Sequence, residues 1–157
     1  MCILFELIKQ RITDMYLQKW YSEINNSPRL QSYCIYKHNY NTEIYLSCIK
    51  ESKYRIALAR FRTSSHNLSI EKDRHINLTR DHRLCKSCNM KTIESEYHFL
   101  LVCPMYRELR LKHFKPYFCH WHSLTKFESL LHESQKSKKG INQLSKFIYH
   151  ANNLRLK

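Results

Sequence analysis

Apolar residues return at helical spacing along most of this chain, and the breaks in that rhythm divide it. Over 2–24 the stripe is Phe5, Ile8, Ile12, Met15, Trp20 and Ile24, widened by Leu17 and Tyr21. Asn25-Asn26-Ser27-Pro28 ends the run. This is the pattern of an amphipathic helix and its stop. The stripe is expected to pack on the core; exposed, it would be a surface for a protein partner. The Tyr-rich stretch 29–42 reads as an irregular connector, with Tyr33, Tyr36 and Tyr40 covering a core edge or stacking on bases.

Thr42 is placed to cap a short helix carrying Ile44, Leu46, Cys48 and Ile49. A second helix is predicted over 53–63, with Ile56, Leu58, Ala59 and Phe61 as its apolar contacts. Residues 66–84 are mixed polar and read as loop. Pro104 suits a first helical turn, where its missing N–H costs little. That helix runs to about Phe114 with Met105, Leu109 and Phe114 or Leu111 inward, and Arg107, Arg110 and Lys112 outward. Ser123 is expected to cap a helix bearing Leu124, Phe127, Leu130 and Leu131. After a basic linker, Ile141, Leu144, Phe147, Ile148 and Ala151 mark a final helix. The fold class is therefore mainly α, a small helical domain. Its segments are 1–42, an N-terminal helix and connector; 43–115, basic helices and a Cys/His module; and 116–157, a helical pair.

Composition agrees. One Gly and three Pro are too few for a turn-rich β fold, and 43% hydrophobic residues suffice for a modest core. Lys and Arg number 27 against 13 acids, a net charge of +14. From Met105 onward there are 11 Lys and Arg against 3 acids, net +8. Such an excess favours a polyanionic partner, nucleic acid (RNA or DNA) before an acidic membrane surface. No stretch approaches the roughly 20 apolar residues of a membrane span. Seven cysteines, an odd number, fit a reducing compartment better than a disulfide framework. With Cys85, Cys88 and Cys103 set aside as ligands, Cys2, Cys34, Cys48 and Cys119 have no evident pairing. The expectation is an intracellular chain, nuclear or cytoplasmic.

The organising stretch is CKSCNMKTIESEYHFLLVC, which reads Cys-x2-Cys-x9-His-x4-Cys from Cys85 through Cys88 and His98 to Cys103. Three thiols and an imidazole are the ligand set of a structural Zn²⁺ site, closed to substrate because all four positions are filled. A short hairpin has room to form at the zinc turn. Glu94 and Glu96 are candidates to orient His98, or else form a solvated turn. Tyr97 and Phe99 to Val102 would exclude water. Cys119 and His122 are a weaker candidate pair for a second metal. Arg55, Arg60 and Arg62 cluster on the second short helix, Arg83 and Lys86 lie at the zinc turn, and Arg107 and Arg110 follow it. These seven are the candidate phosphate contacts, which position a strand without reading its sequence.

On LARFRTSSHNLSIEKDRH and RLCKSCNMKTIESEYHFLLVCPMYRELR, the chain resembles the zinc-binding segment that follows the polymerase core of non-LTR retrotransposon reverse transcriptases. The resemblance covers roughly 43–115 and assigns Cys85, Cys88, His98 and Cys103 as zinc ligands. It extends to stand-alone open reading frames derived from such elements, with an arginine-rich helix before the knuckle and an E-x-E-x-HF phrase at Glu94 to Phe99. The loop between Cys88 and His98 is a little longer than usual in the family, and Lys72 and Asp73 stand where a glycine is usual. Tyr-x-Asp-Asp is absent, and 13 scattered acids supply no converging carboxylates for two-metal chemistry. The resemblance implies RNA or DNA contact by a zinc-stabilised, non-catalytic remnant or co-opted piece. The alternatives are a helical protein-interaction module, using the helix at 2–24 and a purely structural zinc, and a degenerate fragment without function.

Overall fold

A computed structural model describes residues 3–37 and 39–155. The described residues form helices α1 (Ile3–Asn25), α2 (Gln31–Tyr36), α3 (Ile44–Cys48), α4 (Ser52–Arg62), α5 (Ser69–Lys72), α6 (Arg107–His113), α7 (Pro116–Cys119), α8 (Leu124–Gln135) and α9 (Lys138–Arg155). Single 3₁₀ turns occupy Pro28–Leu30, Asp73–Ile76, Arg80–His82 and Pro104–Tyr106, and a π turn spans His98–Val102. The fold is mainly α. Among the described residues, no helix is long and apolar enough to cross a membrane.

α9 is the axis of the core, touching α3, α4, α6 and α8. Its buried face is Ile141, Leu144, Phe147, Ile148 and Ala151, the residues marked by their spacing. Phe147 meets Phe99 with ring centroids 5.9 Å apart and Phe114 at 4.6 Å. Phe99 in turn meets Tyr106 edge-on at 5.0 Å and Phe61 of α4 at 5.8 Å. One buried cluster thus draws on α4, the π turn, α6, α8 and α9, and reaches Tyr36 of α2. Gly140 lets the start of α9 come close to the end of α8, since a Cβ there would lie 3.1 Å from the Ser134 backbone.

The structure corrects several expectations. α1 does not pack its stripe on the core: Phe5, Ile8, Ile12 and Met15 are half or more exposed, and only Ile24 is buried. The helix meets the body at its C-terminal end, through α2 and the turn at Pro28–Leu30. Cys2, the expected first residue of this helix, lies outside the described residues. The stretch 29–42 contains a helix, α2, and 66–84 contains α5 and two 3₁₀ turns. Around α6, Met105 and Leu111 point outward while Tyr106, Arg110, His113 and Phe114 are buried. Ser123 does cap α8, accepting from the Lys126 N–H at 3.2 Å, but Leu124 stays exposed.

Candidate metal centre

The chain enters the centre from the turn at Arg80–His82. Leu84 and Ile93 form one antiparallel bridge, with the Cys85 N–H donating to the Thr92 carbonyl at 2.9 Å and the Glu94 N–H to Arg83 at 2.9 Å. The reversal passes through Lys91, whose φ is 51°. This arm places Cys85 and Cys88. The second half of the ligand set lies on the π turn, where the Cys103 N–H donates to the His98 carbonyl at 2.8 Å. Five residues on an α-helix end about 140° apart, since each step turns roughly 100°. The π turn, closing i to i+5, takes up the extra residue and returns Cys103 to the side of His98. Phe99, Leu100 and Leu101, which occupy the turn, are fully buried in the core.

The sulfurs of Cys85, Cys88 and Cys103 and a ring nitrogen of His98 all lie within 4.8 Å of one another. Ligands about 2.3 Å from a tetrahedral centre stand roughly 3.8 Å apart, so the cluster has the size of a metal site. His98 turns Nε2 to Cys88 Sγ at 3.4 Å, while Nδ1 lies 3.1 Å from Thr92 Oγ1. That second contact fixes the ring, leaving Nε2 for a metal. Glu94 and Glu96, the expected orienting acids, do neither that nor line a solvated turn. Glu96 bonds His66 Nε2 at 3.1 Å, and Glu94 is buried against Arg155.

The thiols of the cluster compete for protons. A hydrogen bond with Cys103, together with burial, pushes the Cys85 thiol up to about 12. The same bond pulls the Cys103 thiol down. A divalent cation removes this competition, because coordinated thiols lose their protons outright. Arg110 adds a second observation. It is 4% exposed and its Nη1 has no hydrogen-bond partner; burial holds its pKa below the usual guanidinium value, and the sulfurs of Cys103 and Cys119 act against that shift. Three thiolates on a divalent ion leave a net negative charge, which a buried guanidinium suits. The residues present therefore fit a metal ion.

Glu94 fastens the centre to the rest of the fold. Its carboxylate accepts the Ser69 N–H at 2.6 Å and takes two bonds from Arg155, the Nε bond at 2.9 Å. Burial pushes the carboxyl up, but the Arg155 and Ser69 bonds outweigh it and hold the group below the usual carboxylate range. Sequence reasoning missed Thr92, Glu94 in this role, and Arg155. The signal available for Glu94 was its place between the two halves of the ligand set, just before the run that carries His98.

The seven candidate phosphate contacts divide. Arg60 and Arg107 are exposed, and the Lys86 side chain is 69% exposed while bonding Asp73 at 3.2 Å. Arg55 is half-buried and donates to the Ile49 carbonyl at 3.0 Å. Three are turned inward. Arg62 is buried, paired with Glu43 at 2.8 Å and stacked over Tyr36 and Tyr45. Arg83 donates to the carbonyls of Leu78 and Ile70, each at 2.9 Å. Arg110 lies behind the metal ligands. A phosphate cannot reach Arg62 or Arg110, and the Arg83 guanidinium is committed to backbone. Cys119 and His122 gather no third ligand among the described residues. Cys34, Cys48 and Cys119 are unpaired. Compared with known families, curated proteins and solved structures, the chain matches none.

Proposed function

We propose that this chain is a zinc-stabilised nucleic-acid-binding module without catalytic activity, derived from a non-LTR retrotransposon reverse transcriptase. Zinc is the metal that three thiolates and an imidazole at tetrahedral spacing suit best. Thiolates kept reduced fit a nuclear or cytoplasmic setting. The origin rests on the resemblance of 43–115.

The observation that carries the binding reading is where the acids go. Glu71, Asp73 and Glu94 are buried, and the Glu43 and Glu96 side chains are 18% and 13% exposed, Glu43 paired with Lys37 and Glu96 bonded to His66. Five of the 13 carboxylates are thus withdrawn from the surface, and the exposed cations, among them Arg60, Arg107, Lys112, Lys136, Lys138 and Lys139, outnumber the exposed acids Glu6, Asp14, Glu23, Glu51, Asp81, Glu108 and Glu128. A surface of that kind holds a phosphate backbone through released counterions. Affinity for a mixed-sequence single-stranded oligonucleotide, read by anisotropy, is expected to fall about tenfold or more between 50 and 200 mM salt. Affinity that stays flat across that range contradicts the reading.

The exposed stripe of α1 favours a second reading, a helical interaction module that pairs with another copy of itself. Sedimentation showing a stable homodimer, in a protein without oligonucleotide affinity, would select it.

A further inference from the structure

The corner between α7 and α8 has a feature that the metal centre does not explain. It presents Tyr117, 58% exposed, and Trp121, 90% exposed. Trp121 has a φ of 50°, in the left-handed region that a bulky residue enters only at a cost. Burial of the indole does not offset that cost. The turn is nonetheless held firmly. Lys126 Nζ donates to the carbonyls of Tyr117 at 2.9 Å and His120 at 2.6 Å, and stands 4.3 Å from the centroid of the Tyr117 ring. Lys115 opens the corner with its side chain 72% exposed, sharing Glu133 at 2.6 Å, and His120 is exposed between the two rings in the chain.

We infer that this corner is a stacking platform for the bases of a single-stranded nucleic acid, with Trp121 and Tyr117 as its rings. The inference rests on the nucleic-acid reading above and gives it a location. Flat rings accept any base on their faces, and neighbouring cations draw the phosphates past them. A rigid turn that holds an indole in water spends no ordering entropy when a base arrives. Charge favours this occupant: Glu133 neutralises Lys115, but Lys126 keeps one of its three donors beyond the carbonyls of Tyr117 and His120, and the segment from Met105 onward carries 11 Lys and Arg against 3 acids.

The chain has 2 tryptophans, so Trp20→Phe leaves Trp121 as the sole indole reporter. This protein is titrated with a labelled oligo-dT, following indole emission and oligonucleotide anisotropy together. Quenching that saturates with the anisotropy is expected. Trp121→Ala should weaken binding about tenfold with the salt dependence unchanged, because stacking releases no counterions. Trp121→Phe should restore most of it. Oligonucleotide binding without quenching, and unaltered in Trp121→Ala, overturns the platform and leaves the nucleic-acid reading standing. No binding at any salt concentration removes both. Quenching that follows protein concentration without oligonucleotide assigns the corner to self-association and overturns the inference.

Discussion

Glu94 joins three parts of the chain that are far apart in sequence: the candidate metal centre, the start of α5 and the end of α9. Its replacement by Gln leaves Arg155 half-buried without its counter-charge, and breaking such a pair costs about 3 kcal/mol. Urea unfolding of Glu94→Gln should read that loss near neutral pH. The sign with pH follows from the direction of the shift. A carboxyl held low in the folded state contributes above the unfolded value of about 4.3. That contribution is lost as pH falls through the folded value, so the gap between wild type and variant should close on acidification. Thr92 offers a milder test. Thr92→Val removes the contact to His98 Nδ1 and should lower zinc affinity about 10- to 100-fold in a chelator competition, with the fold retained. The ligand types and their spacing were legible in the sequence because metal chemistry admits few donors. Which arginines face solvent was not. Arg62 and Arg60 are two positions apart and equally charged, and only the placement of Glu43, Tyr36 and Tyr45 turns one of them inward.

The π turn at His98–Val102 is the element on which the centre depends. Its extra residue converts a five-residue separation into a shared face. Deleting Val102, which is only half-buried, should restore an α-helical turn and swing Cys103 away from His98. The expected outcome is a protein that purifies with less than half an equivalent of zinc. A variant that retains full zinc would show that the turn is not what aims Cys103. The long helices α1, α8 and α9 were readable from periodicity, since each repeats its apolar face over several turns. α2 and α5, of 6 and 4 residues, are too short to show a period, and tertiary bonds such as Ser69 N–H to Glu94 hold α5 in place. α1 has the opposite difficulty. Its apolar residues recur at helical spacing but others, such as Leu4 and Leu7, lie off that spacing, and periodicity does not say whether a partner surface exists within the same chain.

At the scale of the whole molecule, the centre acts as a clamp between the α4–α5 region and α9. Phe99 to Leu101 run from the ligands into the aromatic core around Phe147. Glu94 bonds the last described residue of α9, Arg155. If the cluster holds a metal, as proposed, its removal should release the π turn and the Cys85–Cys88 turn together, because three thiolates beside one another are not tolerated without a cation. The charge of +14 adds self-repulsion that the core alone must then oppose. The most direct test is the zinc content of the purified protein, with circular dichroism before and after chelation, in wild type and in Cys88→Ser. One zinc per chain is predicted, with a large loss of helical signal or a sharply lowered melting transition on chelation and in the variant. A folded, metal-free wild-type protein with the same spectrum in chelator would contradict the account at its centre.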